Sequence, residues 1–242
     1  MKLHIYKNKE EMSEALASWM CEVIESTLKD QEYFTLVLSG GSTPQLLYKT
    51  LVSDKFKDKI NWSRIHVFWG DERAVPYADE RNNARMAHEL LLNNVDIPAN
   101  HVHIMRTDIE PNFSTDAYRK MLHDFFDNTS TTFDLVLLGM GDDGHTLSLF
   151  PGSTIIEEHK HWVNSVYIQE QEMYRITLMP KIVNRAAKIA FMVDGEKKAK
   201  MLQQVLQGEY KPSEFPSQII KPENGELHWF VDEAAAQDLH SF

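Results

Sequence analysis

The chain has 242 residues, with 25 lysines and arginines against 36 aspartates and glutamates, a formal net charge of −11. Hydrophobic residues make up 43% and charged residues 25%, ordinary globular usage that excludes a disordered chain and supplies an ample core. The acidity argues against a nucleic-acid surface, which needs a basic stripe, and requires any phosphate site to be locally basic.

A single cysteine, Cys21, forbids an internal disulfide and suits a reducing cytosol. The start, Met1-Lys2-Leu3-His4-Ile5-Tyr6-Lys7, lacks an apolar core of signal-peptide length. No apolar stretch approaches the roughly 20 residues that span a bilayer. A cytoplasmic protein without membrane partners is expected.

In chain order, Leu3–Tyr6 reads as a strand, and Met12, Leu16, Trp19, Met20, Val23, Ile24 and Leu28 recur at helical spacing. Phe34–Leu38 is a continuous apolar run, the pattern of a strand buried on both faces of a parallel sheet. It meets Ser39-Gly40-Gly41-Ser42-Thr43-Pro44 and then a helix, with Pro44 in the first turn and Ser42 or Thr43 as cap. Ile65–Trp69 is the next strand and ends at Gly70-Asp71-Glu72-Arg73. A helix over Ala84–Leu92, a short strand at His101–Met105 and a helix from Ser114 to Phe126 follow. Leu135–Leu138 is a buried strand running into Gly139-Met140-Gly141-Asp142-Asp143-Gly144-His145. Strands are predicted near Trp162–Val166, Arg175–Leu178, Ile189–Val193 and Leu227–Val231, with helices at Met201–Leu206 and Ala234–Ala236.

This alternation predicts an α/β fold: a doubly wound, mostly parallel sheet with helices on both faces. No stretch has the composition of a domain linker. Lys211–Gly225, with Pro212, Pro216 and Pro222, reads as a surface loop, so residues 1–242 are expected to form one domain.

Open α/β sheets bind ligands beyond the carboxyl ends of their strands, and three segments lie there. In the first, Gly40 and Gly41 let the backbone approach a ligand, and Ser42 and Thr43 offer hydroxyls beside helix-start N–H groups that attract anions. The same residues also suit a plain tight turn with a capped helix. The P-loop lysine and the dinucleotide spacing are absent, which disfavours ATP and NAD. In the second, Arg73 has a planar fork that matches phosphate, and Asp71 or Glu72 suits a structural ion pair with it. In the third, His145 follows two carboxylates on a glycine-rich loop. An imidazole can take a proton from water near neutral pH, and a carboxylate can fix its tautomer. His101-Val102-His103 puts two histidines on one strand face without a third ligand, so no metal site is predicted.

In this order, the segments resemble the 6-phosphogluconolactonases of the pentose phosphate pathway, within the wider glucosamine-6-phosphate-deaminase and ribose-5-phosphate-isomerase-like fold group. The matching pieces are Leu38–Pro44, Asp71-Glu72-Arg73 with Val75-Pro76, Phe133–Gly141 and Asp143–Gly152. Arg175-Ile176-Thr177, Gly195 with Lys198-Ala199, and Val231-Asp232 before Ala234-Ala235 extend the likeness over nearly the whole chain. The Gly-Gly-Ser-Thr-Pro turn is shared with the deaminases. The Asp-Glu-Arg piece and the run from Asp143 to Gly152 are more specific to the lactonases. Asn82-Asn83 stands where the family often has Ser-Asn, and Gln169–Tyr174 replaces a common Lys-Pro-Pro segment.

The resemblance implies hydrolysis of 6-phospho-D-glucono-1,5-lactone with no cofactor and no metal, the phosphosugar lactone being the partner. It implies His145 as general base, oriented by Asp143 or Asp142. Ser42, Thr43, Arg73 and Arg175 would hold the phosphate and Asn83 a sugar hydroxyl, with Gly40, Gly41, Asp71 and Gly144 also at the substrate. Backbone N–H groups of either the Gly139–Gly144 loop or the Gly40–Gly41 turn would meet the oxyanion. A monomer or weak homodimer is expected. The alternatives are a phosphosugar isomerase or deaminase of the same fold group, and a non-catalytic phosphosugar sensor.

Overall fold

The computed structural model describes residues 1–240. The strands of the main sheet are β1 (Lys2–Tyr6), β2 (Phe34–Leu38), β3 (Ile65–Trp69), β5 (Val102–His103), β6 (Leu135–Gly139), β9 (Lys188–Val193) and β10 (Glu226–Asp232). They are ordered β1-β10-β9-β6-β2-β3-β5, and every pairing is parallel.

Successive side chains of a strand point to opposite faces, so a strand apolar at every position feeds two cores. On β2 and β6, Val37, Val136 and Leu138 join one cluster, which also holds Phe191 and Trp229. Leu36, Leu38, Leu135 and Leu137 join the other, with Phe230. Helices cover both. α1 (Lys9–Thr27), α2 (Ser42–Leu51) and α3 (Asn83–Leu90) lie on the second cluster. α4 (Pro111–Phe126) and α6 (Ala199–Gln207) lie on the first, with the single turns α5 (Pro180–Val183) and α7 (Glu233–Ala236). This is the doubly wound sheet that the sequence predicts. Cys21 is buried in the α1 face of the second cluster.

α1 shows how its sequence writes a helix. Asn8 accepts the Glu11 N–H at 2.9 Å, and Glu10 and Glu11 sit in the positive first turn. Met12, Leu16, Met20, Val23 and Ile24 then bury one stripe.

Three local expectations change. β4 (Asp71–Arg73), β7 (Val163–Ile168) and β8 (Met173–Leu178) form a separate antiparallel sheet in the order β4-β8-β7. A three-residue charged strand carries no hydrophobic alternation, so Asp71–Arg73 reads in sequence only as a polar strand end. Gly70 makes the transfer between sheets: its N–H donates to the Leu38 carbonyl and its carbonyl accepts from Leu178 N. Second, His101 lies in a one-turn helix before a two-residue β5 and stacks on His66 at 3.9 Å between centroids. Third, the Lys211–Gly225 loop is partly interior: the turn Pro216–Ile219 buries Pro216, Ser217 and Gln218.

Candidate active site

The carboxyl ends of β2, β6 and β9 and the short β4–β8 pair converge on one open cleft. Its wall includes Gly40, Gly41, Ser42 and Thr43 from the first turn, Asp71, Arg73 and Arg175 from the small sheet, and Gly141 and His145 from the third segment. Three distant stretches of sequence therefore meet in one crevice, as the resemblance implies.

The turn into α2 is built to leave N–H groups free. Gly41 takes the cap position at φ 106° and makes no side-chain cap bond. That is the left-handed region glycine favours, and it starts the helix one residue earlier than a Ser42 cap would and two earlier than a Thr43 cap. Ser42 and Thr43 are thus the first helical residues, not the cap. The Thr43 hydroxyl donates to the Asp194 carboxylate, while Ser42 makes no side-chain hydrogen bond among the described residues. The Tyr48 hydroxyl accepts from Ser39 N and donates to the Ser39 carbonyl at 2.7 Å, fixing the turn from below.

Asn83 is not brought into the cleft. It is 1% exposed, its amide donates to the Asp71 carbonyl at 2.9 Å, and its own N–H donates to Glu72 at 2.8 Å. It packs so closely behind the turn that a Cβ on Gly40 would fall 2.1 Å from Asn83 Oδ1. Its contact is with the Gly40 backbone rather than with solvent-facing space.

On the small sheet, Arg73 and Arg175 are direct partners across β4 and β8. Like charges opposite one another in a ladder are unfavourable unless something negative joins them. Asp71 binds Arg175 directly: its carboxylate lies 2.8 Å from the guanidinium and accepts the Ser148 hydroxyl at 2.7 Å. Burial pushes the Asp71 carboxyl up, but the Arg175 and Arg73 charges and these hydrogen bonds outweigh it and hold the group below the usual range. Arg73 reaches the Arg81 carbonyl at 2.7 Å and has no carboxylate within ion-pair distance among the described residues. Burial and the charge of Arg175 pull its pKa down and outweigh the opposing charges of Asp71 and Glu72. Glu72 does not hold Arg73's side chain. Its carboxyl accepts backbone N–H groups of Arg73, Asn83 and Ala84, all at 2.8 Å, and burial pushes it up to about 7.

The histidine loop is a tight, internally bonded turn. Gly141 N donates to the His145 carbonyl at 2.8 Å, and Gly144 N to the Gly141 carbonyl at 3.0 Å. Asp143, not Asp142, orients the ring: its Oδ1 lies 2.6 Å from His145 Nδ1 and accepts the His145 N–H. Burial alone would raise the Asp143 carboxyl, yet the bond and charge of His145 hold it below its ordinary value. The ring lies so near Gly141 that a Cβ there would meet Nδ1 at 2.1 Å. With Nδ1–H donated to Asp143, Nε2 keeps a free lone pair on a side chain that is 28% exposed in the cleft wall.

Gly144 is not in that wall. It is buried at φ 82°, and its carbonyl accepts both the N–H and the hydroxyl of Ser217, at 3.0 and 2.8 Å. The Gly141 and Gly144 N–H groups are committed inside the loop, whereas the N–H groups of Gly40 and Gly41 have no backbone acceptor among the described residues.

Two cleft features have no assigned role in the sequence reading. Lys198 lines the cleft and donates to the Met140 carbonyl at 2.5 Å. It stands just beyond Gly195 at the end of β9, the same kind of strand-end glycine that marks the other segments. Leu147 also lines the cleft and holds φ 55°, a strained conformation for a branched side chain. Nothing in its residue type announces that. The cleft wall thus carries three fixed cations, Arg73, Arg175 and Lys198, against the one carboxylate of Asp71, in a chain whose net charge is −11.

Known proteins are similar to this chain over most of its length. A protein called 6-phosphogluconolactonase from Haemophilus influenzae is 37% identical over 202 residues, which is 84% of this chain and 86% of that one. One from Nostoc sp. is 38% identical over 89% of each chain. Among solved structures, a 6-phosphogluconolactonase from Trypanosoma brucei superposes with a TM-score of 0.84 at 26% identity, covering 99% of this chain and 98% of that one. One from Thermotoga maritima gives 0.81 at 27% identity, covering 96% and 100%. A sequence profile described as glucosamine-6-phosphate isomerases/6-phosphogluconolactonase matches residues 7–229. Because that match runs through every strand end that builds the cleft, the chain belongs to the family of glucosamine-6-phosphate isomerases and 6-phosphogluconolactonases.

Proposed function

We propose that this chain hydrolyses 6-phospho-D-glucono-1,5-lactone to 6-phospho-D-gluconate, with His145 as general base. The observation that carries the reading is the Asp143–His145 pair opening onto the cleft that holds Arg73, Arg175 and Lys198. The names of the relatives support the same substrate. The α2 N–H groups, the Ser42 hydroxyl, Arg73 and Lys198 hold the phosphate. His145 Nε2 takes a proton from water, whose oxygen adds to the lactone carbonyl carbon. The N–H groups of Gly40 and Gly41 meet the resulting oxyanion. When the tetrahedral centre collapses, the bond from that carbon to the ring oxygen breaks, and the imidazolium returns its proton to the departing oxygen. Asp143 keeps the ring in the tautomer that leaves Nε2 basic. Asn83 and Gly144 support the site from behind without touching substrate.

His145→Ala tests the assignment in a coupled lactonase assay. Turnover falls by about 10²–10⁴-fold with little change in KM, since proton transfer rather than ground-state binding is lost. Near-normal turnover would remove His145 from the role of base. Ammonia released from glucosamine 6-phosphate, with no lactone hydrolysis, would move the chain to the other branch of its family.

Among the described residues no helix is long and apolar enough to cross a membrane. We place the protein in the cytoplasm and read residues 1–242 as one domain, because β2, β3, β6, β9 and β10 each feed both core clusters. A monomer or weak homodimer is the expected state, and sedimentation equilibrium distinguishes it from a larger assembly.

A further inference from the structure

Phe150 ends the segment that follows the histidine loop and is half-buried. Its ring stacks on the His145 imidazole, with centroids 4.3 Å apart and planes inclined by 29°. The Arg175 guanidinium carbon lies 5.9 Å from the same ring. Phe150 is not part of the cleft wall, which His145, Leu147 and Arg175 form in front of it. It reaches the two functional groups without reaching the space a substrate would fill.

Those two groups differ in what else holds them. Arg175 is fixed without the ring, by Asp71 and by Gln171, each at 2.8 Å. Among the described residues the His145 ring has a single hydrogen bond, from Nδ1 to Asp143. One hydrogen bond at one edge fixes the position of that nitrogen but lets the imidazole plane swing about the Nδ1···Oδ1 line. A flat surface stacked on the ring removes that freedom.

We propose that Phe150 is a positioning residue for His145, setting the imidazole plane so that Nε2 stays turned into the cleft. The proposal rests on His145 being the base, and it deepens that reading by naming what holds the base in register. Aromatic stacking of this kind corresponds to a loss of about tenfold in turnover when it is removed.

The test compares Phe150→Leu and Phe150→Tyr in lactone hydrolysis. Phe150→Leu lowers kcat about tenfold while KM stays within twofold, and Phe150→Tyr, which keeps the flat ring, stays near the parent. A KM rise at unchanged kcat would assign the ring to Arg175 and overturn the proposal. Combining Phe150→Leu with Asp143→Asn gives losses smaller than the product of the two, because both restrain one imidazole. Simple multiplication would overturn it.

Nitrogen-15 NMR of the imidazole reads the same restraint without substrate. The parent shows an ordered His145 ring, and Phe150→Leu shows added ring motion in the relaxation of its Nδ1–H signal, with Nδ1 protonated in both because the Asp143 bond is kept. Unchanged relaxation in a folded Phe150→Leu protein would overturn the positioning role. Absent lactone turnover in the parent would instead sink the catalytic reading alone. Should Phe150→Leu fail to fold, Phe150→Met removes the flat ring at similar volume and carries both measurements.

Discussion

At position 71 a buried carboxylate sits between two guanidinium groups and binds only one of them. The side chains of Asp71 and Arg175 are 8% and 6% exposed, so their attraction is little screened. Removing one member leaves an uncompensated buried charge, and Asp71→Asn is expected to cost about 3–5 kcal/mol near neutral pH. The pH dependence follows from the direction of the shift. The folded carboxyl is held below its usual value, so its stabilising contribution is present above the unfolded pKa of about 3.9 and is lost as pH falls through the lower folded value. The difference in Tm between the parent and Asp71→Asn therefore closes as pH drops below about 4. Thermal melts from pH 7 to 3 check this, and a constant gap would mean that the pair is not what the carboxylate stabilises. Arg73, with no carboxylate within ion-pair distance among the described residues, is the residue from which binding is drawn: Arg73→Ala raises KM at least tenfold with a smaller change in kcat, measured in the same lactonase assay.

Among the elements, the short turn Pro216–Ile219 does more than its length implies. It hangs from the Gly144 carbonyl by the N–H and hydroxyl of Ser217, which is 1% exposed. That carbonyl lies one residue before His145, so the turn braces the loop carrying the base. Ser217→Ala keeps the backbone bond and loses the hydroxyl bond. The expected result is a stability loss of about 1 kcal/mol in urea unfolding, with kcat reduced severalfold and KM unchanged. A fall in stability without any fall in kcat would separate the turn from the catalytic loop. The small sheet works in a comparable way. Its pairing β4–β8 is short, yet the register Arg73↔Arg175 is what brings two cations to one place from 102 residues apart in sequence.

For the whole molecule, the contrast is between a net charge of −11 and a cleft wall with three fixed cations and one carboxylate. Long-range repulsion of an anion is screened beyond roughly 10 Å at 0.1 M salt, so the local cations decide binding at physiological ionic strength. Inorganic phosphate should therefore raise Tm. At about 100 times its Kd the linkage contribution is about 2.7 kcal/mol. Melts in phosphate and in chloride at matched ionic strength measure it, with Arg73→Ala losing most of the increment. Equal shifts in parent and variant would mean that phosphate acts elsewhere on the surface.

What the amino-acid sequence determined by itself was the doubly wound sheet and the three polar strand ends. Both are written in short-range patterns: continuous apolar runs at Phe34–Leu38 and Leu135–Leu138, helical spacing between them, and glycine with hydroxyl, carboxylate or imidazole after each strand. His145, Arg73 and the Gly40–Thr43 turn were visible for that reason. Tertiary structure decided which neighbours each of them has. The Arg73–Arg175 pairing, the choice of Asp143 over Asp142, the burial of Asn83 behind Gly40 and the arrival of Lys198 all depend on strands packed side by side. A residue's type tells what chemistry it can perform, whereas its distance from groups far along the chain is set only when the sheet closes around them.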